Sequence, residues 1–168
     1  MPEWTRKLLL TPCFGISGRE MIQGWSGISA RLSEASGRGQ TMGNYAYYQP
    51  NPAGKSVGDC TVRAIAKALG QTWEETYVGL SLEGFNLGDL PNADSVWGPY
   101  LKNHGFTRHW IPDDCPDCYT VSDFAADHPH GTFILSMPGR HVVTVADGKF
   151  WDSWDSGGEA PTYYWTRS

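Results

Sequence analysis

The stretch that most constrains this sequence is a pair of short apolar runs joined by Asp147-Gly148. His141-Val142-Val143-Thr144-Val145-Ala146 precedes the dipeptide, and Lys149 to Trp154 follows it. A two-residue Asp-Gly loop takes positive φ at both positions and carries the twist that paired strands need, so the segment reads as a tight hairpin. The same turn fixes register: 146 faces 149, 145 faces 150, 143 faces 152 and 141 faces 154. Facing residues share a side of a sheet, which groups His141, Val143 and Val145 with Phe150, Asp152 and Trp154. Asp152 becomes the diagonal neighbour of His141, at a separation of about 7–8 Å that side chains span, and Asp155 points to the other side. Thr132 to Met137 is a further apolar run, turned by Pro138-Gly139 into His141. Tyr163-Tyr164-Trp165 makes one more strand.

Ahead of these strands the apolar period becomes helical. Asp59 stands where an N-cap belongs, a helix runs from Cys60 to about Leu69, and Gly70 closes it. Val62, Ile65, Ala66 and Leu69 form its apolar face, while Cys60, Ala64 and Ala68 share another side where small residues admit a second layer closely. Thr72-Trp73-Glu74-Glu75 is a capping box that opens a second helix to about Leu82, ended by Gly84. A short helix is expected over 95–103 and a strand over 106–111. Thr120 caps a short helix through Ala126, which His128-Pro129 terminates. Tyr45 to Pro52 reads as an extended lead-in that packs its tyrosines. Helices first and an antiparallel sheet last give an α+β class.

The chain is 168 residues long, enough for one domain, and a formal net charge of −5 disfavours nucleic acid as a partner. Eight Trp and eight Tyr oppose disorder. No apolar run reaches the roughly 18–20 residues a membrane helix needs, and Leu8-Leu9-Leu10 is too short for a signal peptide, so no membrane is expected and the cytoplasm is the expected compartment. Composition breaks at one place. Residues 1–41 carry five Lys/Arg against three acids, a net +2 that leaves −7 on the remainder. That segment is Gly- and Ser-rich without a sustained apolar period, and is expected to be a poorly ordered leader. Arg38-Gly39 can be encoded by a purine-rich stretch at ribosome-binding distance from Met42, which makes Met42 the expected natural start and 42–168 the domain.

Four cysteines are too few for a secreted disulfide scaffold. Cys60 opens a helix, where unpaired N–H groups and the positive dipole end favour thiolate over thiol. A nucleophilic thiol needs a base and the base an orienter, and the hairpin supplies His141 and Asp152 for those roles. A buried cysteine that merely fills space, a strand-edge histidine and a turn-capping aspartate are the plainer readings of each residue alone. Cys115-Pro116-Asp117-Cys118 has metal-ligand spacing but lacks a second cysteine pair, so it reads as a turn, and neither metal nor cofactor is expected.

Gly58-Asp59-Cys60-Thr61-Val62-Arg63-Ala64-Ile65, with Gly139-Arg140-His141-Val142-Val143-Thr144-Val145, Asp147-Gly148 and Trp151-Asp152-Ser153-Trp154, resembles the papain-like cysteine peptidases. The likeness is to the bacteriocin-processing type and related small phage and bacterial proteins, over about residues 44–165. It implies a papain-like fold, with the nucleophile helix packed on a C-terminal antiparallel sheet, and hydrolysis of a peptide or amide bond. Cys60 would be nucleophile, His141 base and Asp152 orienter, acting on a peptide or protein substrate. Such peptidases usually place an oxyanion-binding glutamine about six residues before the cysteine. Here that position is Gly54, and Asn51 or Lys55, with the Cys60 backbone N–H, would take the role. Deamidation or acyl transfer by the same triad is an alternative. So is a phage or prophage binding or inhibitory protein that keeps the fold without catalysis.

Overall fold

A computed structural model describes residues 43–112, 119–139 and 141–167. The leader expected over 1–41, the start expected at Met42 and the Cys115–Cys118 turn lie outside the described residues. Ten elements follow one another: β1 (Tyr45–Tyr47), α1 (Cys60–Leu69), α2 (Trp73–Leu87), α3 (Asp94–Asn103), β2 (Thr107–Trp110), α4 (Val121–Asp127), β3 (Thr132–Met137), β4 (His141–Ala146), β5 (Lys149–Asp152) and β6 (Tyr163–Thr166). The class is α+β. The strands form one six-stranded sheet in the order β1-β5-β4-β3-β6-β2.

The hairpin has the expected register, with Ala146 opposite Lys149, Val145 opposite Phe150 and Thr144 opposite Trp151. Asp147 and Gly148 take φ of 49° and 76°, the double left-handed turn that an Asp-Gly pair permits. The sheet differs from expectation in being mixed and in recruiting strands from ahead of the C-terminal part. The lead-in contributes β1, which runs parallel to β5 with Tyr47 opposite Asp152. Two main-chain bonds tie it there, Phe150 N–H to Asn44 O at 2.8 Å and Tyr48 N–H to Asp152 O at 2.7 Å. β5 itself stops at Asp152, shorter than the expected run to Trp154.

Two cores fill the faces of the sheet. On one, Val62, Ile65, Leu80, Trp97, Leu101 and Phe106 meet Ile134, Val142 and Trp165. On the other, Val121, Phe124 and Ala125 of α4 meet Leu135, Val143, Val145 and Phe150. The small side of α1 approaches β4 so closely that the Thr144 hydroxyl donates to the Ala64 carbonyl at 2.5 Å. Both capping boxes form, Thr72 with Glu75 and Thr120 with Asp123. Gly84 does not end α2, which continues to Leu87 before Gly88 caps it in the left-handed region. A Cβ at Gly84 would stand 2.6 Å from the Asp89 carbonyl, so glycine is there to let the returning backbone pass. No described helix is long and apolar enough to cross a membrane.

Candidate active site

The first residue of α1 and the first residue of β4 meet at one end of the sheet. Strand alternation puts His141 on the α4 side with Val143 and Val145, while Val142 and Thr144 face α1. Because His141 opens its strand, its ring reaches the thiol at the sheet's end. Its Nε2 lies 2.6 Å from Asp152 Oδ2, which leaves Nδ1 for Cys60. The thiol shares a hydrogen bond with the imidazole and accepts another from the Val142 N–H. Trp154 walls the imidazole, ring centroids 5.1 Å apart.

Asp152 is 2% exposed and every oxygen is engaged. Oδ2 also accepts from the Ser156 hydroxyl at 2.8 Å. Oδ1 accepts from the Ser153 N–H at 2.7 Å and from Arg63 Nη2 at 3.2 Å. Burial alone would raise this carboxyl; the His141 and Ser156 hydrogen bonds, the imidazole charge and the Ser153 N–H hold it below its ordinary value. Asp155 instead accepts the Gly157 N–H at 3.1 Å, in the turn after β5.

Desolvation pulls the His141 imidazole down, but its bonds to Asp152 and Cys60 and their charges outweigh that and push it up to about 9. Burial pushes the Cys60 thiol up; the His141 hydrogen bond, the Val142 N–H and the positive charges of His141 and Arg63 bring it below its ordinary value. A raised imidazole beside a lowered thiol shifts the balance toward the thiolate–imidazolium pair.

Asp59 does not cap α1 with its side chain. The carboxylate turns to Arg63 one helical turn on, in a buried ion pair, and accepts from Trp73 Nε1 at 2.9 Å and Asn51 Nδ2 at 3.5 Å. Pairing neutralises a charge that would otherwise oppose the thiolate next to it. Arg63, only 6% exposed, thus bridges the carboxylates of Asp59 and Asp152. Sequence reasoning missed Arg63 and Ser156; an arginine three residues after the cysteine on an otherwise buried helix was the available signal. Of the oxyanion candidates, Asn51 is buried, with Oδ1 accepting the Ala53 N–H at 3.0 Å. Lys55 is exposed, and its carbonyl accepts from Gln49 Nε2 at 3.4 Å. Both line a cavity on the α2 side of the α1 N-terminus. Among the described residues no three His, Cys, Asp or Glu side chains gather as a metal site requires. No family model, curated protein or solved structure matches this chain.

Proposed function

We propose that the chain is a papain-like cysteine hydrolase that cleaves a peptide or amide bond with Cys60, His141 and Asp152. The observation that carries this reading is the imidazole held between two partners, Asp152 at 2.6 Å and the thiol on its other side. The thiolate of Cys60 attacks the carbonyl carbon, and the oxyanion develops beside the α1 N-terminus, whose dipole opposes its charge. His141 gives its proton to the leaving amine, and the S–C bond of the acyl-enzyme remains. Water then attacks that carbonyl, His141 takes the water proton, and the acid departs as the thiolate returns. Asp152 fixes the ring orientation and favours the imidazolium in both halves.

The test is selective alkylation followed by intact mass. Iodoacetamide near neutral pH is expected to modify Cys60 faster than Cys115 or Cys118, and His141→Ala to slow Cys60 at least tenfold, since the thiol returns toward its ordinary pKa. A peptide mixture should be cleaved by the native chain and not by Cys60→Ala. Equal rates at the three thiols, unmoved by His141→Ala, would turn the reading toward a binding protein whose cysteine only packs.

A further inference from the structure

We propose that the groove between α3 and the β2 edge of the sheet binds a carboxylate carried on an aromatic body. The cavity there is about 490 Å3, and none of Cys60, His141 and Asp152 lines it. In the sheet, β3 and β6 stand between β2 and the β4 strand that carries His141. The site is therefore independent of the cysteine-hydrolase reading.

Helix α3 departs from helix preference where it meets this cavity. Gly98 and Pro99 stand side by side in the middle of Asp94–Asn103, and they are the two residue types least suited to a helix interior. Both line the groove. Pro99 has no N–H, so the Ser95 carbonyl lacks its helical donor. A Cβ at Gly98 would lie 3.5 Å from Trp165 Cζ2, an ordinary contact, so packing does not demand glycine. What the missing side chain leaves is room, with Trp165 and Phe106, each 3% exposed, as an apolar wall.

Charge selects the other end of the occupant. The lining carries two cations, Lys102 and Arg108, against one carboxylate, Asp94. Asp94 is already engaged, with one oxygen accepting Trp97 Nε1 and the other the Tyr163 hydroxyl, each at 3.0 Å. Lys102 and Arg108 are exposed, and the ion pairs among the described residues involve neither. The Arg108 guanidinium lies over the rings of Trp110 and Tyr163, 4.9 and 5.3 Å from their centroids. Stacking occupies the flat face of the group and leaves its N–H edge, the fork that matches a carboxylate. Arg167, 5.5 Å over the Phe106 ring, adds positive charge beside the wall. In a chain of formal net charge −5 this groove is the place that attracts an anion, and its apolar wall takes the ring that carries it.

Titration of the full chain, labelled with 15N and followed by amide NMR shifts, tests this. Phenylacetate is expected to move the Phe106 and Thr107 signals saturably, binding at least fivefold more tightly than phenylacetamide, which lacks the charge, and acetate, which lacks the ring. Lys102→Gln and Arg108→Gln, both at exposed positions, should each weaken phenylacetate at least threefold and leave phenylacetamide unchanged. Gly98→Leu, which fills the groove with a residue that favours the helix, should abolish the shifts. Should it lose the native amide spectrum, the two charge variants carry the comparison. A free aromatic acid and the end of a peptide share this chemistry, and acetyl-Gly-Gly-Phe separates them: tighter binding than phenylacetate names the peptide end, weaker binding the free acid. Shifts that do not saturate, equal binding of phenylacetate and either control, or phenylacetate binding intact in the folded variants overturns the site.

Discussion

Arg63 is held by two carboxylates that lie far apart in sequence, Asp59 four residues before it and Asp152 on β5. Removing a buried cation from such a cluster leaves two buried carboxylates without their countercharge, a loss of about 3–5 kcal/mol in comparable buried networks. Arg63→Met is therefore expected to lower the unfolding free energy measured in urea by that order. It should also move the pH midpoint of Cys60 alkylation upward, since the guanidinium charge is one of the influences that lowers the thiol. A destabilised variant with an unmoved alkylation midpoint would show that Arg63 serves the fold alone. The sequence marked Cys60, His141 and Asp152 because each is chemically distinctive at its place on an element. Arg63 was given no role, because only the arrival of β5 beside α1 gives it a second partner. Ser156 was hidden for the same reason: its hydroxyl matters through a loop that folds back onto Asp152.

The β4–β5 hairpin positions both His141 and Asp152, so its turn is where an element-level change has most effect. Gly148 has φ of 76°, and a Cβ there would lie 3.4 Å from Pro129 Cα. Gly148→Ala should cost about 1–2 kcal/mol in thermal or urea unfolding, from the left-handed backbone. Ala46 to Tyr47 and Thr132 to Met137 still flank the hairpin on either side. Selective Cys60 alkylation should therefore persist in the folded variant; its loss would mean that the turn alone sets the register. The hairpin was legible because Asp-Gly admits few conformations and the flanking runs alternate cleanly. β1 was not, since three residues on a parallel edge carry no local pattern and owe their strand to Phe150 and Asp152 across the domain. The end of α2 was misread because Gly84 resembles a stop signal, whereas its lack of a side chain is needed by the Asp89 backbone. The side chain of Asp59 was misread similarly: capping is the local option, and Arg63 and Trp73 offer stronger partners.

For the whole molecule, the His141–Asp152 pair ties stability to pH. The imidazole is raised in the native state, so its contribution is complete below its unfolded pKa of about 6.5 and declines as pH rises toward about 9. The Asp152 carboxyl is lowered, so its contribution is complete above about pH 4 and is lost as acid protonates it in the native state. The thiol acts in the opposite sense to the imidazole, gaining as pH rises above its lowered native pKa toward its ordinary value. Measured in Cys60→Ala to remove that opposing effect, the urea midpoint should exceed that of Cys60→Ala/His141→Gln most between about pH 4 and 6.5. The gap should close on either side, its alkaline end falling below 9 because Cys60 is one of the groups that raises His141. A gap constant from pH 4 to 9 would mean that the pair contributes packing and no charge.

The sheet order adds a matter of timing. β1 is the first strand of the domain, yet its partner is β5, with Tyr47 beside Asp152. On a ribosome adding about 5–20 residues per second, the 92 residues that separate Cys60 from Asp152 take about 5–18 s to make. Until that interval ends α1 has its thiol but the Asp152 carboxylate has not been synthesised, and β1 has no strand to join. Cys60, His141 and Asp152 therefore come together only in a late step, when the fifth strand slots between the first and the fourth.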